Sequence, residues 1–270
     1  MDIDTPAPTS KPSAAKSIGL VAITALAYVL CDLLHELGHA AATMLPLGTK
    51  AVSISTIGLS SVGVISPVVA AAGPVVNLLL ASALLLALAP RASPTWRYFA
   101  WLFGTVNLLN GTAYFVYSSI LGTGDWATVF SAVGPTALWR PISGLGGAAL
   151  YIASILASSV VLRRLCVSGV VAKSNINRYC NSAYWAGGVV ITAGAVFNPV
   201  SAWFILTSGA AVGFGAMLGL LALPALLNRK RLPSISAKES LRITWPWVSA
   251  GAIALVIFLG IFGPGLHLPL

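Results

Sequence analysis

The chain has 270 residues, of which 57% are hydrophobic and only 8% charged, with a net charge of +9 and a mean hydropathy of +0.91. A soluble domain carries about 25% charged residues, so this composition excludes an ordinary water-facing fold and implies lipid as the solvent. The basic residues lie mostly in short connections between apolar stretches, which points to membrane topology and anionic lipid head groups and excludes nucleic acid as the partner.

In chain order, residues 1–17 (MDIDTPAPTSKPSAAKS) are polar and rich in Pro, Ser and Ala, and predict a disordered tail. Apolar spans follow at about 18–45, 67–89, 96–121, 143–162, 183–197, 200–227 and 246–262. The first is too long for a cleaved signal. Between it and the second, Lys50 to Ser66 (KAVSISTIGLSSVGVIS) is rich in Val, Ile, Ser and Thr with partial alternation, and predicts a short β-hairpin or a re-entrant loop. Open strand edges cannot face lipid, so this segment must line a cavity or be covered. It reads either as an edge that pairs with an unwound substrate or as an ordinary structured loop. At Asn198-Pro199 the chain either turns as a tight hairpin or continues as one broken helix. The spans after residue 136 are rich in Gly, Ala and Ser, which suits close helix packing, and Trp245 and Trp247 fit an interfacial belt. The three cysteines, Cys31, Cys166 and Cys180, show no paired spacing and argue neither for a disulfide framework nor for a cysteine zinc site.

The expected fold class is an all-α polytopic membrane protein of about six to seven transmembrane helices, with the hairpin or re-entrant loop after the first. Three regions follow: a tail at 1–17, a membrane core at 18–135 that carries the chemistry, and C-terminal transmembrane helices at 136–270. With seven spans, 13 of the 15 basic residues share the face of the N-terminus, and Lys50 and Arg140 alone lie opposite. Lys and Arg favour the cytoplasmic face, so the N-terminus is expected inside, with a bacterial inner membrane as the default for a multi-pass chain without targeting signals. One broken helix at Asn198-Pro199 would make the split 8 against 7, and the charges would no longer decide.

The first span contains His35-Glu-Leu-Gly-His39, the HExxH pattern of zinc hydrolases. The chain has three histidines and two glutamates, and two and one of these fall in this window. Chance placement has a probability of about 2 in 10,000. Residues four apart share a helix face, so His35 and His39 can grip one Zn2+ ion while Glu36 lies beside it as a general base. The competing reading, that three ionisable side chains merely pack between helices, costs about 2.5–3.5 kcal/mol or more for each charge placed in a bilayer.

Two histidines leave a zinc site short of a protein ligand. Asp2 and Asp4 lie in the tail and Glu239 in a basic loop, which leaves Asp32 and Asp125. Asp32, three residues before His35, suits a hydrogen bond to a ligand better than ligation. Asp125 follows Gly122-Thr-Gly124, where the glycines allow the backbone to turn back, and it is the expected third ligand. Its alternative is a helix N-cap. His267 lies in an expected tail.

HELGH in an early span, then Ala72-Gly-Pro-Val-Val-Asn77, then an Asp-containing turn after a later span resembles the site-2 protease family of intramembrane zinc metalloproteases. The likeness covers about residues 18–135. It implies a core of three helices, zinc held by His35, His39 and Asp125, Glu36 as general base, and Asn77 holding the substrate backbone or the oxyanion. Many members carry Asn-x-x-Pro before a Leu-Asp-Gly ligand motif, whereas this chain has Asn107-Leu-Leu-Asn110 well upstream and Gly-Asp-Trp at 124–126. Gly73-Pro74 also reads as a kink, with Asn77 satisfying freed carbonyls, and Asn107 and Asn110 either face the site or bond between helices. The expected function is hydrolysis of a peptide bond in or near a transmembrane protein substrate. A catalytically silent membrane scaffold and a metal carrier or sensor are the rivals. His35 lies about 26 Å along the helix from Ile18 and about 15 Å from Leu45. With the N-terminus inside, the site is nearer the outer face, whereas the resemblance implies the cytosolic side.

Overall fold

The computed structural model describes residues 14–86, 92–228 and 241–268. Helix α1 (Ala14–Ala42) is followed by strands β1 (Lys50–Ser55) and β2 (Gly58–Val62), then α2 (Pro67–Leu86), α3 (Pro94–Leu121) and the short α4 (Asp125–Ser131). The chain continues through α5 (Thr136–Val167), α6 (Ile176–Val196), α7 (Ala202–Asn228), α8 (Trp245–Phe262) and the two-residue β3 (Leu266–His267). Helix α1 begins inside the segment expected to be a tail, because Ala14 to Ser17 extend the first turn of an apolar helix; residues 1–13 lie outside the described residues.

Among the described residues, five helices are long and apolar enough to cross a membrane: α1 from Ser17, α2, α5, α7 and α8. This is fewer than the six to seven expected from apolar runs. Helix α3 has the length, at 28 residues, but it is the central helix, and Thr105, Asn107, Asn110 and Thr112 on it are buried against protein. Helix α6 starts seven residues before the expected span, because the polar Asn177 and Arg178 continue the helix beyond the apolar run.

Successive long helices alternate in direction. On α1 and α2, Gly38 meets Ala72 while Cys31 meets Asn77; on α2 and α3, Leu85 meets Gly104 while Leu78 meets Gly111. Helix α3 then returns along α5, with Trp101 Nε1 donating to the Ser158 carbonyl at one end and Phe115 against Gly147 near the other. The break at Asn198-Pro199 is a tight hairpin: Ala195 faces Gly209 and Gly188 faces Gly213 across α6 and α7. Small residues set these distances. On α6, Gly187, Gly188 and Gly194 receive the rings of Tyr28, Phe214 and Phe258, and Gly251 of α8 rests on the backbone of Ala22.

The segment after α1 is a β-hairpin. Strands β1 and β2 pair antiparallel from Lys50 opposite Val62 to Ser55 opposite Gly58, with a bulge between Ala51 and Ser53. His267, expected in a tail, instead lies in β3 opposite Ser53, so the sheet order is β2-β1-β3. At the hairpin tip the Thr56 hydroxyl donates to the Gly194 carbonyl at 2.8 Å, and its N–H to that of Phe262 at 3.1 Å. The outer edge of β2 is unpaired among the described residues.

A Cβ at Gly187 would overlap the ring of Tyr28, which is 1% exposed and has no room to yield. Gly187→Val is therefore expected to lower stability by about 1–3 kcal/mol, read as a lower unfolding midpoint in detergent. Gly146→Ala, where a Cβ meets open space, leaves the midpoint unchanged.

Candidate metal centre

His35 and His39 stand one turn apart on α1, and Asp125 reaches them from the first residue of α4. The turn that delivers Asp125 depends on two glycines in the left-handed half of backbone space, Gly122 at φ +70° and Gly124 at φ +89°. Gly122 ends α3 by donating its N–H to the Ser118 carbonyl at 2.9 Å. Arg140 of α5 then donates to the carbonyls of Ser119 and Ile120, which the helix end leaves free. The N-cap position of α4 is Gly124, and the Asp125 carboxylate is turned to the histidines instead of capping the helix.

Each imidazole is fixed by a bond on its far nitrogen. His35 Nδ1 donates to Asn77 Oδ1 at 2.6 Å, and His39 Nδ1 donates to the Val69 carbonyl at 2.7 Å. The Asn77 oxygen can hold that bond only as an acceptor, because its amide nitrogen donates to the Cys31 carbonyl at 3.2 Å and to Asn107 Oδ1 at 2.8 Å. Asn107 Nδ2 in turn donates to the Phe103 carbonyl, and Asn110 Nδ2 lies 3.4 Å from Asn77 Oδ1. With Nδ1 of His35 held by Asn77 and Nδ1 of His39 by the Val69 carbonyl, the Nε2 atoms of the two neutral rings are left as electron-pair donors. They lie 3.1 Å apart, and Asp125 places Oδ2 at 3.1 Å from His35 Nε2 and Oδ1 at 3.5 Å from His39 Nε2.

Three electron-pair donors thus face one another. A proton can bridge one edge of that triangle, whereas a cation at the centre satisfies all three. Tetrahedral bonds of about 2.0–2.1 Å place ligand atoms about 3.3 Å apart; the two Nε2 atoms lie 3.1 Å apart, and Asp125 approaches each with a different oxygen, at 3.1 and 3.5 Å. His35, His39 and Asp125 form a group that can hold a metal ion. Helix α2 is shaped to admit it. A Cβ on Gly73 would strike His39 Nε2, and one on Gly38 would come within 3.0 Å of the Ala72 carbonyl oxygen. The close approach of α1 and α2 therefore needs both glycines.

The triad opens into a cleft of about 370 Å³ that is also lined by Glu36, Tyr114 and Tyr117. Glu36 is 5% exposed, and its Oε2 has no hydrogen-bond partner. Strand β2 contributes Gly58, Leu59 and Ser61 to the same cleft, and α7 contributes Phe204 and Ser208.

Two sequence expectations need correction. Asn77, expected to face substrate or oxyanion, is 0% exposed, and both its polar atoms are engaged by His35, Cys31 and Asn107. It orients a ligand and does not reach the cleft. Asp32, expected to bond to a ligand, makes no bond to His35, whose Nδ1 is taken by Asn77; its Oδ2 is buried without a partner. His267 lies with β3 and not with the triad. Sequence reading missed Tyr114, whose ring lies 5.2 Å from that of His35. The signal was present: Asn107, Asn110, Tyr114 and Tyr117 follow helical spacing along one face of α3.

No family profile, curated protein or solved structure matches the chain. The site therefore rests on its own geometry.

Asn77→Ala removes the acceptor that fixes His35, and is expected to weaken metal binding about 10- to 100-fold by competition with a chelator of known affinity. Gly73→Ala, which drives a methyl onto His39 Nε2, weakens it at least as much, whereas Gly134→Ala, in open space, leaves it unchanged.

Proposed function

We propose that the chain is an intramembrane zinc metalloprotease that hydrolyses a peptide bond in or near a transmembrane segment of a protein substrate. The observation that carries this reading is the convergence of two imidazole nitrogens and a carboxylate in one cleft with an unpartnered glutamate. Two nitrogen ligands and one oxygen ligand suit Zn2+, and three protein ligands leave the open fourth position typical of catalytic sites. The resemblance to site-2 proteases in HELGH, Gly73-Pro74-Val-Val-Asn77 and the Asp125 turn agrees with that chemistry.

When bound, zinc supplies Lewis acidity and lowers the pKa of a water to about 7. The protein's own groups do the rest. Glu36 takes the proton of the attacking water and passes it to the leaving amine. Asn77 and the Val69 carbonyl hold the two histidines in the tautomer that ligates. A peptide bond inside a helix is shielded, so the substrate must be extended before attack. The unpaired edge of β2, which runs along the cleft, offers backbone groups to such a segment.

The charges suggest the orientation. The end of the bundle where α1 begins collects Arg97, Arg163, Arg164, Lys173 and Arg178, and the end with the hairpin holds Lys50 and Arg140. By the positive-inside rule the first end is cytoplasmic and rests on anionic lipid, and the cleft lies toward the outer face.

Glu36→Gln is expected to abolish cleavage of a helical membrane peptide in detergent, with zinc content within error of wild type. Unchanged cleavage would remove Glu36 as the base. Cleavage by neither protein, with zinc bound in both, would favour a metal carrier or scaffold.

A further inference from the structure

A second cavity of about 330 Å³ lies beside the metal cleft, between α3, α5 and α7. The two share the side chains of Tyr114 and Tyr117 as a common wall. On α7 the lining includes Ala211, Val212 and Gly215, in a stretch, Ile205–Gly215, wound as a π-helix. That winding ends with Ala216 N–H donating to the Ala211 carbonyl, five residues back, at 3.0 Å. The Tyr151 hydroxyl stitches the break that follows, donating to the Ala216 carbonyl at 2.7 Å and accepting from the Gly219 N–H at 2.8 Å. The polar end of Tyr151 is thus consumed by backbone, and the exposed walls of the cavity are almost wholly apolar. At the rim Ile120 is 66% exposed.

We infer that this cavity is a specificity subsite that takes one large apolar side chain of the substrate, from the residue beside the scissile bond. The inference rests on the protease reading above. Its size admits the occupant: a cavity of about 330 Å³ has room for a single Leu or Phe side chain. Its chemistry selects, because a polar side chain entering these walls would lose its hydrogen bonds to water and find no partner. The cavity adjoins the cleft at Tyr114 and Tyr117. A strand lying along β2 across the cleft presents alternate side chains to opposite sides, and those on the tyrosine side meet this cavity past Tyr114 and Tyr117. Gly215 leaves the space open: a Cβ built there meets nothing within 4 Å.

The test uses full-length, zinc-loaded protein in detergent and the hydroxamates of N-acetylated glycine, leucine and phenylalanine. The hydroxamate anchors on the metal, so binding reports the subsite without needing cleavage. Wild type is expected to bind the leucine and phenylalanine compounds at least 10-fold more tightly than the glycine compound. Gly215→Phe and, separately, Ala211→Phe fill the cavity and are expected to erase that difference, with zinc content and affinity for the glycine compound unchanged. Equal affinity of wild type for all three compounds, which would leave the cavity to a lipid chain, overturns the proposal. So does a preference that survives both fillings. No binding of any hydroxamate to zinc-loaded wild type would overturn the metal-cleft reading itself and the subsite with it.

Discussion

Two imidazole nitrogens, each stripped of its proton by a bond on the far side of the ring, are held 3.1 Å apart and facing a carboxylate. Electron pairs repel at that distance unless a cation lies between them, and much of the surrounding architecture keeps them there. The close approach of α1 and α2 sets the depth of the site, and it exists because Gly38 and Gly73 carry no side chain. The turn through Gly122 and Gly124 sets the third corner, and Arg140 ties down the helix end from which that turn departs.

The cost of such a site in an apolar bundle is met by completing its hydrogen bonds. An amide buried without partners costs several kcal/mol in a medium that cannot hydrogen-bond. Asn77 is fully buried, yet its oxygen and nitrogen are engaged by His35, Cys31 and Asn107, and Asn107 closes the chain on the Phe103 carbonyl. This explains why α3, the helix most enclosed by protein, is too polar to count as a membrane span by composition while running among helices that do. Glu36, Asp32 and Asn110 are exceptions at the site, each with a buried oxygen that has no partner among the described residues. For Glu36, this leaves free acceptor capacity in the cleft, as the general-base role proposed above needs.

Local patterns carried much of this in the sequence. HELGH places His35, Glu36 and His39 through helical periodicity alone, and the glycines before Asp125 announce a turn. The alternating Val, Ile, Ser and Thr of residues 50–62 foretell the hairpin. What needed three dimensions was everything set by packing between helices. Gly73 reads as a kink beside Pro74, and its contact with His39 appears only when α2 lies against α1. Asn77 reads as a substrate contact by resemblance, and its burial against His35 and Asn107 depends on three helices meeting. Asp32 looks like a partner for His35 from spacing, but Asn77 occupies the only free nitrogen. The pairing of β3 with β1 joins residues more than two hundred positions apart, beyond the reach of any local signal.

The central claim is that His35, His39 and Asp125, brought together from positions up to 90 residues apart, hold one zinc ion. Elemental analysis of the detergent-purified protein tests it, with wild type beside His39→Ala and Asp125→Ala. The account predicts about one zinc per chain in wild type and its loss in both variants. Zinc retained in Asp125→Ala, or no metal in a well-folded wild type, would contradict it.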